Sequence, residues 1–363
     1  MKRDFLQLAH VYNPTKHKVA GFYMSQKLDG TRCFWDGGIT RGLATEEVPW
    51  ASIIDPKTKQ RKAKIKPIAT GLWSRYGNPI IAPDWFLNQL PCCFLDGELW
   101  AGAGKFQLCR SICAGDTPDP RFNKIQYAVY SAPNIQSLFT SGEIKNTNMV
   151  CDIDQQTVRN FIADRLEDFG GDFLFSGANN FGDELEFMCR VLETQNDHCF
   201  MLKQEKLSDD EDSAKDRIEQ YLSEVVSAGG EGVVLRDPGA VWTPKRHHGI
   251  LKYKPFNDAE GEVVGFTSGR ETDRGSRLLG RIGALVLDYK GKRLELSGLT
   301  DEERLFQTQD MEEYAIKHPG EEMPNWFQGL HFRLGQTVTF KYRELSDIGI
   351  PKEARFFRKR EIE

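Results

Sequence analysis

Lys27-Leu28-Asp29-Gly30-Thr31-Arg32 places an amine, a carboxylate, a turn glycine and a guanidinium within six residues. Few chemistries need that set. A lysine amine can attack phosphorus or carbon, but its ordinary pKa near ~10.4 leaves roughly one molecule in a few thousand deprotonated at neutral pH. A nucleophilic Lys27 therefore asks for a nearby cation or other positive charge. A shift of about 3 units corresponds to about 4 kcal/mol of differential interaction. The plain alternative is a β-turn with exposed charges.

Further along the chain come groups that suit phosphate chemistry. Asp96-Gly97-Glu98-Leu99 closes a β-rich run with carboxylates, and Gly230-Glu231-Gly232-Val233-Val234-Leu235-Arg236 sets a glutamate between glycines at the start of another. Hard Mg2+ takes such oxygen ligands together with substrate phosphates. In Leu251-Lys252-Tyr253-Lys254-Pro255 two lysines stand at i and i+2, so on a strand they share a face, a geometry that suits a phosphate clamp. Tyr130, ending Tyr127-Ala128-Val129-Tyr130, offers a flat ring for a purine, with simple packing as its plainer reading.

Outward from these groups, 363 residues make two domains the natural expectation. Hydrophobic residues at 39% and charged residues at 28% fit a soluble globular protein with real cores. No apolar stretch of signal-peptide or bilayer length occurs, so the chain reads as cytoplasmic, with no membrane partner. The eight cysteines form no CxxC pair of zinc-site spacing and read as reduced thiols filling core space. His247-His248 is set aside as a metal site, because neighbours on a strand point to opposite faces. Short β-rich runs at Phe94–Leu99, Ile125–Tyr130 and Gly232–Arg236 predict strands. Helical spacing predicts one helix through Val158, Phe161, Ile162, Leu166 and Phe169, and a second through Ile218, Tyr221, Leu222, Val225 and Val226. After Pro255 the texture becomes short strands with a single helix near Asp310–His318, which predicts a small β-barrel and a boundary near residue 256.

The net charge of −5 does not exclude nucleic acid, since phosphate binding follows local patches. Lys57, Lys59, Arg61, Lys62, Lys64 and Lys66 fall within ten residues that contain no acid, and Lys352, Arg355, Arg358, Lys359 and Arg360 crowd the C-terminus.

Taken together and in this order, the motifs resemble those of the nucleotidyltransferase superfamily of ATP-dependent polynucleotide ligases and capping enzymes. Lys27–Arg32, Trp73–Phe86, Leu95–Trp100, Gly229–Pro238, Asp258-Ala259-Glu260 and Pro351–Arg360 look more narrowly like the minimal two-domain ATP-dependent DNA ligases of phages and the bacterial E-type class. The resemblance covers nearly the whole chain. It implies an α+β fold: an adenylation domain (1–256) with antiparallel sheets and flanking helices, followed by a C-terminal OB-fold β-barrel (257–363). It implies an enzyme that uses ATP and Mg2+ to seal nicked duplex DNA, with Lys27 adenylated, Arg32 on the ribose and Tyr130 stacked on adenine, and a monomer is expected because such a site needs no second chain. Glu98 and Glu231 would serve metal and nucleotide, Lys252 and Lys254 the α-phosphate, and Arg358 and Arg360 the pyrophosphate. Arg75 would face the 5′-phosphate of the nick.

Three departures from the family pattern stand out. Ser25, with Gln26 beside it, occupies a position where the family often has Glu or Gln to read adenine. Tyr130-Ser131 stands where Phe-Asp is frequent. The stretch from about Leu43 to Thr70 is longer than usual and carries the basic cluster, which is expected to grip duplex phosphates, and Arg41 then competes with Arg75 for the 5′-phosphate. RNA ligases and capping guanylyltransferases share the lysine motif, and a non-catalytic OB-type protein that binds DNA ends is the alternative from another class.

Overall fold

The computed structural model of the protein describes residues 6–55, 58, 60–134, 155–167, 172–193, 196–272, 276–346 and 348–359. The chain divides into two compact units, Met1–Lys254 and Pro255–Glu363.

The first unit is built on two five-stranded sheets. One runs in the order β1 (Leu8–Val11), β10 (Arg246–Tyr253), β9 (Gly232–Arg236), β2 (Tyr23–Lys27) and β8 (Glu205–Lys206). Helix Glu211–Ser227 lays Ala214, Ile218, Leu222 and Val225 against Met24, Val233, Leu235 and Leu251 of this sheet. The acidic run at Ser208–Asp212 starts that helix, because the Asp210 carboxylate accepts the Ser213 backbone N–H at 2.9 Å as its N-cap. The other sheet runs β4 (Leu72–Ser74), β3 (Thr31–Asp36), β5 (Phe94–Trp100), β6 (Gln126–Ser131) and β7 (Cys199–Met201). Its core takes in Phe86, Ile112 and Phe122 together with Phe181, Phe187 and Met188 of helix Phe181–Val191. That helix is not legible from spacing, since Gly182, Asp183, Glu184 and Glu186 interrupt the apolar pattern.

Neighbouring strands in both sheets are antiparallel except β1 with β10 and β6 with β7, which are parallel. This departs from the all-antiparallel expectation. A parallel partner needs a long crossover, and helix Phe181–Val191 lies within the crossover from β6 to β7. The helix expected through Val158 spans Gln155–Glu167, with Val158 and Ile162 buried, while Phe169 lies outside the described residues.

Asp36, at the end of β3, is fully buried and accepts hydrogen bonds from the Thr40 hydroxyl (2.5 Å), the Trp73 indole N–H (2.8 Å) and the Gly38 N–H (3.0 Å). Burial outweighs these donors and pushes its carboxyl up to about 6. The folded state therefore holds this proton more firmly than the unfolded chain. The stability it contributes is present below about pH 4 and is lost as the pH rises through about 6, on the order of 3 kcal/mol. Asp36→Asn, which imitates the protonated carboxyl, is expected to gain on the wild type by about that amount between about pH 4 and about pH 7. Urea midpoints at the two pH values check this, and parallel pH curves would contradict it.

In the second unit β11 (Asn257–Ser268), β12 (Ile282–Tyr289), β13 (Lys292–Leu296), β14 (Thr337–Tyr342) and β17 (Arg355–Lys359) form an antiparallel sheet ordered β13-β12-β11-β14-β17. Between β14 and β17 the chain makes a separate two-stranded ribbon of β15 (Glu344–Leu345) and β16 (Pro351–Lys352). The core of the unit gathers Phe266, Leu285, Phe327, Phe332 and Phe340. Helix Gln309–Lys317, capped by the Thr308 hydroxyl, packs Met311 and Ala315 into the same cluster. The basic C-terminal run is itself the edge strand β17. No helix among the described residues is long and apolar enough to cross a membrane, and the cysteines described are free thiols, most of them buried.

Candidate active site

Lys27 is the last residue of β2 and Arg32 the second of β3, so the six-residue motif is the passage from one sheet of the first unit to the other. Gly30 is required there by close approach rather than by an unusual φ. A Cβ at this position would lie 2.3 Å from the Leu99 carbonyl oxygen and 2.8 Å from Cγ of Glu98. Gly232 answers both demands, with φ +152° and a would-be Cβ 2.3 Å from the Tyr253 carbonyl oxygen, and it lets β9 run tight against the end of β10.

A cavity of about 260 Å3 is lined from both sheets. Ser25, Gln26 and Lys27 face it from β2, Lys252 and Lys254 from β10 and just beyond, Arg32 from β3, Glu98 from β5 and Tyr130 from β6, with Arg75 following β4. Nine of the residues singled out from sequence thus meet at one place. Glu231 joins them through its two oxygens, one paired with the Lys27 ammonium and the other with that of Lys254. As the structure stands, Lys27 and Lys254 are equivalent in their relation to this carboxylate.

Arg32 is fixed by Asp96. Its Nε and Nη2 donate to the two Asp96 oxygens at 3.0 and 2.5 Å, and Nη1 donates to the Gln7 carbonyl at 2.6 Å. Burial works against the charge, but Asp96 holds the guanidinium well above its ordinary range. The Trp242 indole N–H adds a third donor to Asp96 at 3.2 Å. Glu98 is pushed up to about 7 by burial, against the pull of Lys27 and Arg32. A cation on the cavity side would draw it back. Glu98 and Glu231 supply carboxylate oxygens of the kind a hard cation takes, and no cluster of three or more His, Cys, Asp or Glu able to hold a metal occurs among the described residues.

The other candidates lie elsewhere. Arg41 does not line the cavity; its guanidinium donates to Asn88 and Asp84, both at 2.7 Å. The basic segment contains a hairpin in which the Asp55 N–H donates to Gln60 and the Lys62 N–H to Ile53, at 2.8 and 2.9 Å. Arg61 pairs with Glu46 and Lys64 with Asp116, while Lys62 donates to Ser52 at 2.6 Å and Asn78 at 3.0 Å. Burial lowers both Lys62 and Lys66. Lys57 and Lys59 lie outside the described residues, as does Arg360. Arg358 belongs to the second unit, where it lines a cavity of about 810 Å3 with Glu260, Glu303, Thr339 and Lys359. The His248 imidazole stacks on His10 with centroids 3.9 Å apart.

Four polar side chains of the cavity and its walls went unassigned in the sequence: Gln7, Asp96, Arg236 and Arg246. Asp96 and Arg236 stand inside quoted motifs and carried a signal as charges in β-rich runs. Arg246, which donates to the Ala9 carbonyl, and Gln7 carried none.

No family model matches the chain. A DNA ligase of Haemophilus influenzae is 22% identical over 356 residues, covering 98% of this chain and 92% of that protein. A DNA ligase of Methanothrix thermoacetophila is 31% identical over 155 residues, 40% of this chain and 27% of that protein. Among solved structures, one from work on Lig E DNA ligases and DNA binding with a minimal scaffold covers 98% of both chains at 23% identity, with a TM-score of 0.58. Another, Pmar-Lig_Pre, covers all of this chain and 69% of its own at 18% identity, with a TM-score of 0.54. The resemblance to DNA ligases carried by the motifs is thus borne out in sequence over nearly the whole chain, and the fold is shared with the structure from the Lig E DNA ligases.

Proposed function

We propose that this protein is an ATP-dependent DNA ligase that seals 5′-phosphate/3′-hydroxyl nicks in duplex DNA through a covalent lysyl-AMP. The observation that carries the reading is the convergence of Lys27, Arg32, Glu98, Tyr130, Lys252 and Lys254 on one cavity, with Glu231 bonded to two of its lysines. Lys27 Nζ attacks the α-phosphorus of ATP; an N–P bond forms, the bond to pyrophosphate breaks, and the amine gives up its proton. AMP then passes to the 5′-phosphate of the nick, and the 3′-hydroxyl displaces it. Such phosphoryl transfers need alignment and charge neutralisation more than acid-base groups, which suits a site of lysines, arginines and glutamates. Mg2+ held by Glu98 and Glu231 would neutralise phosphate charge when bound. Tyr130 gives the base a wall, and Arg32, clamped by Asp96, is oriented before substrate arrives. The second unit, a five-stranded antiparallel sheet with one helix, supports an OB-fold reading, with Arg358 and Arg360 serving pyrophosphate departure.

Incubating the protein with α-labelled ATP or GTP and Mg2+, then chasing with nicked DNA or nicked RNA, tests the reading. A labelled adduct from ATP that discharges into sealed DNA supports it. A GTP adduct points to capping and RNA-only discharge to RNA ligation, while no adduct leaves a DNA-end-binding protein.

The basic hairpin is the proposed grip on duplex phosphates, with Arg75 facing the 5′-phosphate of the nick. Replacing Lys57, Lys59, Arg61, Lys62, Lys64 and Lys66 by serine is expected to weaken nick binding and to flatten log K against log salt by about 0.9 for every phosphate that is no longer neutralised. Arg61 and Lys64 already answer carboxylates, so their share should be the smallest. An unchanged slope would remove the segment from the DNA interface.

A further inference from the structure

The Tyr130 ring lies beside two guanidinium groups, Arg32 with its central carbon 5.5 Å from the centroid and Arg236 at 4.8 Å. The two differ in what else holds them. Arg32 is committed to Asp96 and to the Gln7 carbonyl. Arg236, the last residue of β9, is only 6% exposed, and its Nε has no hydrogen-bond partner among the described residues. Its guanidinium is held instead by rings, Tyr130 on one hand and Phe181 at 5.2 Å on the other. Burial and the neighbouring Arg32 charge lower Arg236, while Asp96 supports its charge.

Glu184 comes from the helix that begins with Phe181, one turn further on. It is 2% exposed and accepts from the Ser131 hydroxyl and from the Ala132 N–H at 3.0 Å, the two residues that follow Tyr130. The same helix therefore supplies the ring against the guanidinium and the tether of the backbone that carries Tyr130. Phe181, Glu184 and Arg236 also line one cavity of about 10 Å3, and Arg236 lines the candidate active site as well. An apolar side chain would be cheaper to bury at this position than an arginine with an unanswered Nε. A planar cation within reach of two rings does what a hydrocarbon cannot, since it attracts the ring it faces directionally.

We propose that Arg236 and Glu184 are positioning residues that set the plane of Tyr130 as the nucleobase wall of the site. Neither touches the reacting phosphate. The proposal rests on the nucleotide-binding reading above and adds a division of labour: the phosphate end is held by lysines, the base end by a ring that Arg236 and Glu184 orient.

Equilibrium binding of ATP and of inorganic tripolyphosphate to the full chain tests it, because tripolyphosphate carries the charge without the base. Arg236→Met keeps the apolar stem and removes the cation; it is expected to weaken ATP about 10-fold and leave tripolyphosphate within about 2-fold. Arg236→Lys restores a cation without the plane and should recover part of the loss. Glu184→Gln keeps an acceptor for Ser131 and Ala132 and should weaken ATP less than Arg236→Met does, again without affecting tripolyphosphate. Equal losses for both ligands would overturn the proposal and make Arg236 a phosphate contact. ATP binding unchanged in Arg236→Met, or in Arg236→Lys should Arg236→Met fail to fold, would overturn it as well. Wild-type binding of ATP without any covalent adduct would defeat the ligase reading and leave this one standing, whereas no binding of ATP at all defeats both.

Discussion

Lys27→Ala is expected to abolish the covalent nucleotide adduct, while nicks whose 5′-phosphate already carries AMP should still be closed. In the proposed reaction the first step alone would consume the lysine as nucleophile; in the last, the attacking group would be the 3′-hydroxyl of the DNA. This variant is decisive because Lys27 and Lys254 both pair with Glu231 in the same cavity, so geometry by itself offers two nucleophiles. Lys254→Ala should slow the adduct by removing a phosphate partner without abolishing it. Mass mapping of the modified peptide gives an independent answer. An adduct persisting in Lys27→Ala, or mapped to Lys254, would reassign the nucleophile.

The second large effect belongs to a residue with no expected contact to substrate. Asp96→Ala is expected to destabilise the first unit by about 3–5 kcal/mol, because it leaves the Arg32 guanidinium buried with its main counter-charge gone. Asp96 is wholly buried and binds Arg32 through both oxygens, with the Trp242 indole as a further donor. Adduct formation should fall about 100-fold even under conditions where the variant stays folded, since an unclamped Arg32 loses the orientation the site depends on. Asp96→Asn, which keeps the shape and one acceptor, should lose less of each. Urea denaturation and single-turnover adduct rates measure the two effects. A stable Asp96→Ala protein with wild-type adduct rates would show that Arg32 needs no clamp.

Both predictions turn on pairs that the linear chain keeps apart. Lys27 and Glu231 are 204 positions distant, Arg32 and Asp96 64, Ser131 and Glu184 53. Each member was visible as a chemical type, and the strands carrying most of them were legible from their β-rich runs, because period and punctuation are properties of a few adjacent residues. Helix Phe181–Val191 escaped because its buried face includes a glutamate, a residue that spacing counts as polar and exposed. Gly30 was rightly singled out but for a turn, when the cause is the Leu99 carbonyl pressing from another strand.

The order of amino acids was therefore enough to name the lysine motif, the carboxylates that follow it, the paired lysines, the aromatic ring and the β-rich texture after Pro255, since side-chain chemistry and local periodicity are written within short windows. Only the folded chain decided which charges neutralise one another, and which of them face the cavity. Arg41 is held by Asp84 and Asn88 while Arg75 lines the cavity, Arg61 and Lys64 already answer carboxylates, and Arg236 lies against the Tyr130 and Phe181 rings. Electrostatic partnership depends on distance and burial, and both are set when two sheets close over residues drawn from the whole length of the first unit.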